Sequence, residues 1–269
     1  MGNLRLRYLF LIAISVFIEL YGTGCAPPES VCNRIAGMLA ASDHVSCHPV
    51  AKTDAWWLGR QAQIKKQIGQ GNADLLFIGD SITQGWETVP DIWEASFGQW
   101  NPVNAGVNSD QTQHVLWRLE NSGLENINPK AAVVMIGTNN SDGRTNPTEI
   151  AMGIEAVVCS LHDKLPETKI LLLAIFPRGS VEQRIDPDIN HNATLNPQWI
   201  KDDLANSMVA LMDDHKKIYY LNINDVFLED DGTLTHRTMP DLLHLSPVAY
   251  QAWADAIMPT LLQIMNGRN

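Results

Sequence analysis

A chain of 269 residues is long enough to bury one sizeable core, and 45 % hydrophobic residues is ordinary for a globular domain. A formal charge of -11, with no basic stripe to neutralise phosphates, argues against nucleic acid as a partner and disfavours polyanionic substrates. The four cysteines and eight histidines show no zinc-ligand spacing, and no pattern asks for a metal or an organic cofactor.

The N-terminus reads as a targeting segment. Arg5 and Arg7 precede the apolar run Tyr8 to Ile18, and the small residues Gly22, Thr23 and Gly24 follow. A charged start, a short apolar stretch and a small-residue exit make residues 1–25 a signal peptide, too short to span a membrane. Export to the periplasm or beyond is the expectation. Cys25 stands where a lipoprotein signal would be cut, although Gly22 replaces the usual large aliphatic residue, so a lipid anchor at Cys25 is the alternative to soluble secretion. Residues 26–51, with Pro27 and Pro28, read as a leader outside the core. In an oxidising compartment Cys32–Cys47 is the expected disulfide, and Cys159 a small buried hydrophobe in a helix.

The compact domain is expected over 52–269. Apolar residues recur at helical spacing from Trp56 to Ile68. Apolar runs then appear at 75–78, more weakly at 102–105, and again at 131–136, 170–175 and 218–221. Between the third and fourth, Ile150, Ile154, Val157, Val158, Leu161 and Leu165 share one helical face. Residues 177–198, rich in Pro, Asn and Asp, read as a long loop beside any site, and Ser246-Pro247 opens the last helix. Strands alternating with helices predict one α/β domain, a parallel sheet wrapped on both faces.

Ligands of such sheets bind outside the carboxyl ends of the strands. Gly79-Asp80-Ser81 ends the first run, Asn104 to Asp110 follows the second, Gly137-Thr138-Asn139 the third and Asp241-Leu242-Leu243-His244 the fifth. A serine, an asparagine and an Asp/His pair on one edge suit acyl transfer. Ser81 would be the nucleophile, His244 its base, and Asp241 the carboxylate that orients the imidazole. Asn139 and the backbone N–H groups of Ser81 and the 106–109 turn would form the oxyanion hole. Asp80 reads as a brace for its turn. His114, His162, His191, His215 and His236 read as structural or solvated, and Trp56, Trp57 and Trp93 as packing or lid rather than sugar platforms.

These four blocks resemble those of SGNH, or GDSL-type, hydrolases. The stretch His114 to Leu119, Leu124 to Ile127, Pro177-Arg178-Gly179 and Asp241 to Leu245 are similar to the platelet-activating-factor acetylhydrolase Ib catalytic-subunit branch. The resemblance covers about 52–265. It implies a three-layer, flavodoxin-like doubly wound sheet of about five parallel strands, and an acyl-enzyme on Ser81. It also implies an oxyanion hole from Ser81, Gly106, Ser109 and Asn139, no metal or cofactor, and a homodimer as in some relatives. Ser109 departs from the branch, where glycine is usual, which bears on pocket size rather than on the reaction. Two substrate readings follow, a carbohydrate O-acetyl ester, small or polymeric, and a phospholipid-type ester cleaved by an acetylhydrolase or lysophospholipase; a non-catalytic glycan- or partner-binding module on the same fold is the alternative of a different class.

Overall fold

The computed structural model describes residues 30–142, 145–180, 182–183, 186 and 192–267. The expected signal peptide and Cys25 lie outside the described residues, as does much of the 177–198 loop. The five apolar runs become five strands: β1 (Leu75–Gly79), β2 (Pro102–Gly106), β3 (Ala131–Met135), β4 (Lys169–Leu173) and β5 (Ile218–Leu221). All pair in parallel, in the order β2-β1-β3-β4-β5. This is the flavodoxin-like order anticipated from the resemblance. Its switch point lies between β1 and β3, where the winding direction reverses.

The helices are α1 (Val31–Ala40), α2 (Ala55–Ile68), α3 (Ser81–Gln84), α4 (Pro90–Phe97), α5 (Thr112–Asn121), α6 (Thr138–Ser141), α7 (Pro147–Lys164), α8 (Pro197–Val209) and α9 (Pro247–Met265). Because strand side chains alternate, each strand feeds two cores. Leu76, Ile78, Ala132, Val134, Ile170 and Leu172 face one core, which α1, α2, α5, α7 and α8 cover. Leu75, Phe77, Val133, Met135, Leu171 and Leu173 face the other, under α4 and α9. There Phe77 contacts Trp93 and Phe97 with ring centroids 4.9 Å apart in each pair, and Trp86 packs on Trp253 at 5.0 Å. Burial of each such side chain contributes roughly 1.5–3 kcal/mol, so both faces are firmly closed.

Two expectations are corrected. Residues 31–50 are no detached leader. Val31 and Cys32 belong to the first core, Ser46 is fully buried, and Thr112 Oγ1 donates to Ser46 O at 2.9 Å. The disulfide joins Cys32 to Cys159, with Cα atoms 5.3 Å apart, and Cys47 is a free thiol. The apolar face of α1 lies on α7, which brings two helical cysteines 127 positions apart into register. The short separation of Cys32 from Cys47 carried no information about that packing.

Candidate active site

The junction from β1 into α3 is one residue long. Gly79 fits because a Cβ there would strike Thr83 Oγ1 and the Met135 carbonyl of the neighbouring strand. Asp80, fully buried, caps α3 by accepting the Ile82 N–H at 2.9 Å, which is the bracing role read from the sequence. Burial, and after it the nearby Asp110 carboxylate, push the Asp80 pKa up to about 7 against the cap bond. Ser81 therefore opens α3 at the carboxyl end of the sheet, and its N–H has no partner among the described residues.

Across the edge, Asp241 to His244 forms a turn held by its own aspartate. Asp241 Oδ1 accepts the Leu243 N–H at 3.0 Å and the His244 N–H at 2.7 Å, while Oδ2 lies 2.7 Å from His244 Nδ1. Burial raises the Asp241 pKa, but the His244 N–H, the imidazole and the Leu243 N–H outweigh it and hold the carboxyl below its ordinary range. His244 Nε2 lies 2.9 Å from Ser81 Oγ. Serine, imidazole and carboxylate thus stand in one hydrogen-bonded line, an arrangement able to activate a serine.

The turn needs help from elsewhere. Leu242, fully buried, sits in the left-handed region at φ 56°, and Gly179 N donates to its carbonyl at 2.7 Å. A Cβ on Gly179 would crowd the Leu242 side chain. Arg178, also fully buried, donates to Thr138 O at 2.8 Å and pairs with Asp142 at 2.7 Å. Pro177-Arg178-Gly179 therefore ties the ends of β3 and β4 to the histidine turn.

The oxyanion candidates divide. Asn139 Nδ2 donates one hydrogen to Asp110 O at 2.9 Å, leaving its second, and Gln111 Nε2 ties down the Asn139 backbone by donating to its main-chain carbonyl at 2.9 Å. Ser109 adopts φ 59° and has an N–H without a partner among the described residues. The Gly106 N–H does not point free toward the edge: it is engaged with Asn104 Oδ1 at 2.9 Å, and the bare Cα lets the Thr83–Gln84 backbone lie against β2. Close packing accounts for the glycine of that block.

A buried frame behind these groups went unread in the sequence. Arg118 pairs with Asp110 at 2.6 Å and donates to the carbonyls of Ala105 at 2.8 Å and Gly79 at 3.1 Å. Trp57 Nε1 donates to the other Asp110 oxygen at 2.7 Å. Breaking such a pair costs about 3–5 kcal/mol, so the ends of β1 and β2 are locked. Burial lowers the His114 pKa to about 4, and its Nδ1 accepts the Gln111 N–H at 2.9 Å, the structural role expected of it. Trp57 and Trp93 pack as anticipated. Trp56 does not: it is 53 % exposed and walls a cleft of about 360 Å³ with Ser81, Gln84, Asn108, His244 and Tyr250. Among the described residues no group of three or more His, Cys, Asp or Glu could hold a metal ion.

Comparison with known proteins agrees with this geometry. Residues 77–252 match the GDSL-like Lipase/Acylhydrolase family. Platelet-activating factor acetylhydrolase IB subunit alpha1 from Homo sapiens is 32 % identical over 213 residues, covering 79 % of this chain and 85 % of the relative. A GDSL-like lipase from Bacteroides thetaiotaomicron shares the fold with a TM-score of 0.57 at 18 % identity, over 87 % of this chain and 98 % of that one. The carbohydrate acetylesterase Est24 from Sinorhizobium meliloti does so with a TM-score of 0.52 at 18 % identity, over 71 % and 99 %. The chain belongs to the GDSL-like lipase/acylhydrolase family of carboxylic ester hydrolases.

Proposed function

We propose that this chain is an exported serine esterase that removes short acyl groups, acetyl foremost, from carbohydrate O-acetyl esters. The observation that carries the reaction is the Ser81–His244–Asp241 line, at 2.9 and 2.7 Å. Ser81 Oγ attacks the ester carbonyl while His244 Nε2 takes its proton. The Ser81 and Ser109 N–H groups and the free Asn139 Nδ2 hydrogen meet the developing oxyanion. His244 then gives its proton to the departing alcohol, leaving an acyl-enzyme. A water, deprotonated by the same imidazole, releases the acid and restores Ser81. Asp241, held ionised by its three donors, stabilises the imidazolium.

Cleft size supports a short acyl group: about 360 Å³ is enclosed by the apolar Trp56, Leu245 and Tyr250 and the polar Gln84, Glu87 and Asn108. The apolar groove of Val31, Ile35, Met38, Met152 and Leu211 shares no residue with it. Export is supported by Arg5, Arg7 and the run Tyr8 to Ile18, with a lipid anchor at Cys25 as its variant. The relatives named as platelet-activating factor acetylhydrolases favour the second reading, a phospholipid-type acetyl ester. Acetate release from acetylated xylan and from an acetylated ether phospholipid separates the two. Ser81→Ala should lower either rate by more than about 10³-fold at unchanged melting temperature. Unaltered turnover would refute the mechanism, and failure of a serine-directed organophosphonate to label Ser81 in the folded protein would restore the binding-module reading.

A further inference from the structure

We infer that Trp56 and the polar cleft beyond it form a subsite for a neutral sugar ring, next to the ring whose ester faces Ser81. The inference rests on the carbohydrate reading above. Its ground is the juxtaposition of two clefts across one indole. Trp56 lines the Ser81 cleft and also a second one of about 390 Å³, and Gln84 and Glu87 border both. The second cleft is completed by Gly59, Arg60 and Gln63.

Helix α2 presents this wall as a single stripe. Trp56, Gly59, Arg60 and Gln63 recur at i, i+3, i+4 and i+7, so they share one face. Trp57, about 100° around the helix, is fully buried and bonded to Asp110, which anchors the first turn of α2 against the catalytic frame. A Cβ on Gly59 would meet nothing within 4 Å, so open space lies beside the exposed indole.

The polar rim selects the ligand. Gln84 Oε1 accepts the Asn108 N–H at 2.8 Å, while Gln84 Nε2 has no partner among the described residues and remains a donor between the clefts. Glu87 is half-exposed and offers a carboxylate oxygen; Gln63 offers an amide. Both nearby cations are committed. Arg60 is buried, pairs with Glu87 at 2.6 Å and donates to the carbonyls of Gly106 and Asn104. Lys52 bonds Ser109 O at 2.8 Å and lies 3.4 Å from Asp110. A phosphate group would therefore meet Glu87 with no cation free to answer it. A pyranose fits: its C–H face lies on the indole, and its hydroxyls reach the amides and the carboxylate.

The test compares Trp56→Ala with the wild-type enzyme on acetylated xylotetraose and on p-nitrophenyl acetate. The ratio of kcat/KM on the saccharide to that on the small ester should fall about tenfold, mainly through KM, the scale of losing one aromatic contact face. Trp56→Phe should retain most of the ratio. Unacetylated xylotetraose should inhibit p-nitrophenyl acetate hydrolysis, and more weakly in Trp56→Ala. An unchanged ratio overturns the subsite alone. Failure of the wild-type enzyme to deacetylate any saccharide overturns the carbohydrate reading and the subsite with it. Inhibition by tetramethylammonium that depends on Trp56, with none by xylotetraose, overturns the sugar assignment in favour of a quaternary ammonium ligand.

Discussion

Ser81 is delivered by a turn sunk into the sheet, where Asp80 is fully buried and a methyl group on Gly79 would strike a neighbouring strand. His244 arrives on a turn at the rim, with its side chain and that of Asp241 44 % and 47 % exposed. The first turn takes its shape from tertiary packing, since β1, β3 and α3 leave its backbone no alternative. The second takes its shape from its own hydrogen bonds, with one strained residue, Leu242, held by Gly179 from outside. Two partners 2.9 Å apart are thus positioned by different physics, and substitutions should separate stability from chemistry accordingly.

The largest effect belongs to the rim. His244→Ala should lower kcat by about 10³–10⁴-fold while the urea midpoint stays unchanged, because nothing in the core depends on the imidazole. A matching loss of stability would break the contrast. At the buried turn the order reverses: Gly79→Ala should cost about 3 kcal/mol of unfolding free energy, the upper range for overpacking a rigid site. Chemical denaturation reads this directly.

Asp80 gives the next test, through pH. Its folded pKa, about 7, lies above the ordinary 3.8, so the folded state holds a proton that the unfolded chain releases earlier. Its stabilising contribution is full below about pH 4 and is lost as pH rises through 7. Between pH 5 and 8 the wild-type protein should lose on the order of 2 kcal/mol more than Asp80→Asn, which keeps the cap but does not titrate. Equal losses in urea titrations at the two pH values would exclude this. The smallest effect is at Ser109, whose left-handed backbone suits glycine. Ser109→Gly should raise stability by at most about 1 kcal/mol, since relief of strain is partly offset by a freer unfolded chain. A lower melting temperature would mean that the hydroxyl, 3.2 Å from Asn108 Oδ1, matters more than the strain.

Much of the site was legible because its signals are local. An apolar run ending in Gly-Asp-Ser marks a strand end, and a spacing of three positions from Asp241 to His244 lets one side chain reach the other. The layered fold followed from alternating runs. What escaped depends on elements remote in sequence. Gly106 reads as a donor because its block lies at the site, yet its N–H is engaged by Asn104 and its bare Cα serves the approach of α3 to β2. Arg118 and Asp110 form a frame only once β1 and β2 pair. The exposure of Trp56 against the burial of Trp57 follows from how α2 docks, which spacing alone does not orient. Residues 31–50 look like a leader beside Pro27 and Pro28, yet Val31, Cys32, Ile35, Met38 and Leu39 recur at i, i+1, i+4, i+7 and i+8, so the sequence does hold a helical apolar face there.

The Cys32–Cys159 bond divides the proposed catalytic set by covalent topology. Ser81, Ser109 and Asn139 lie inside the ring it closes; Asp241 and His244 lie on the open tail. Closing a loop of 127 residues removes on the order of 5 kcal/mol of disorder from the unfolded chain. Yet the tail gains nothing from the closure until it docks. A protease cut anywhere inside the ring leaves every catalytic group on one molecule, whereas a single cut between Cys159 and Asp241 severs the nucleophile's fragment from that of its base.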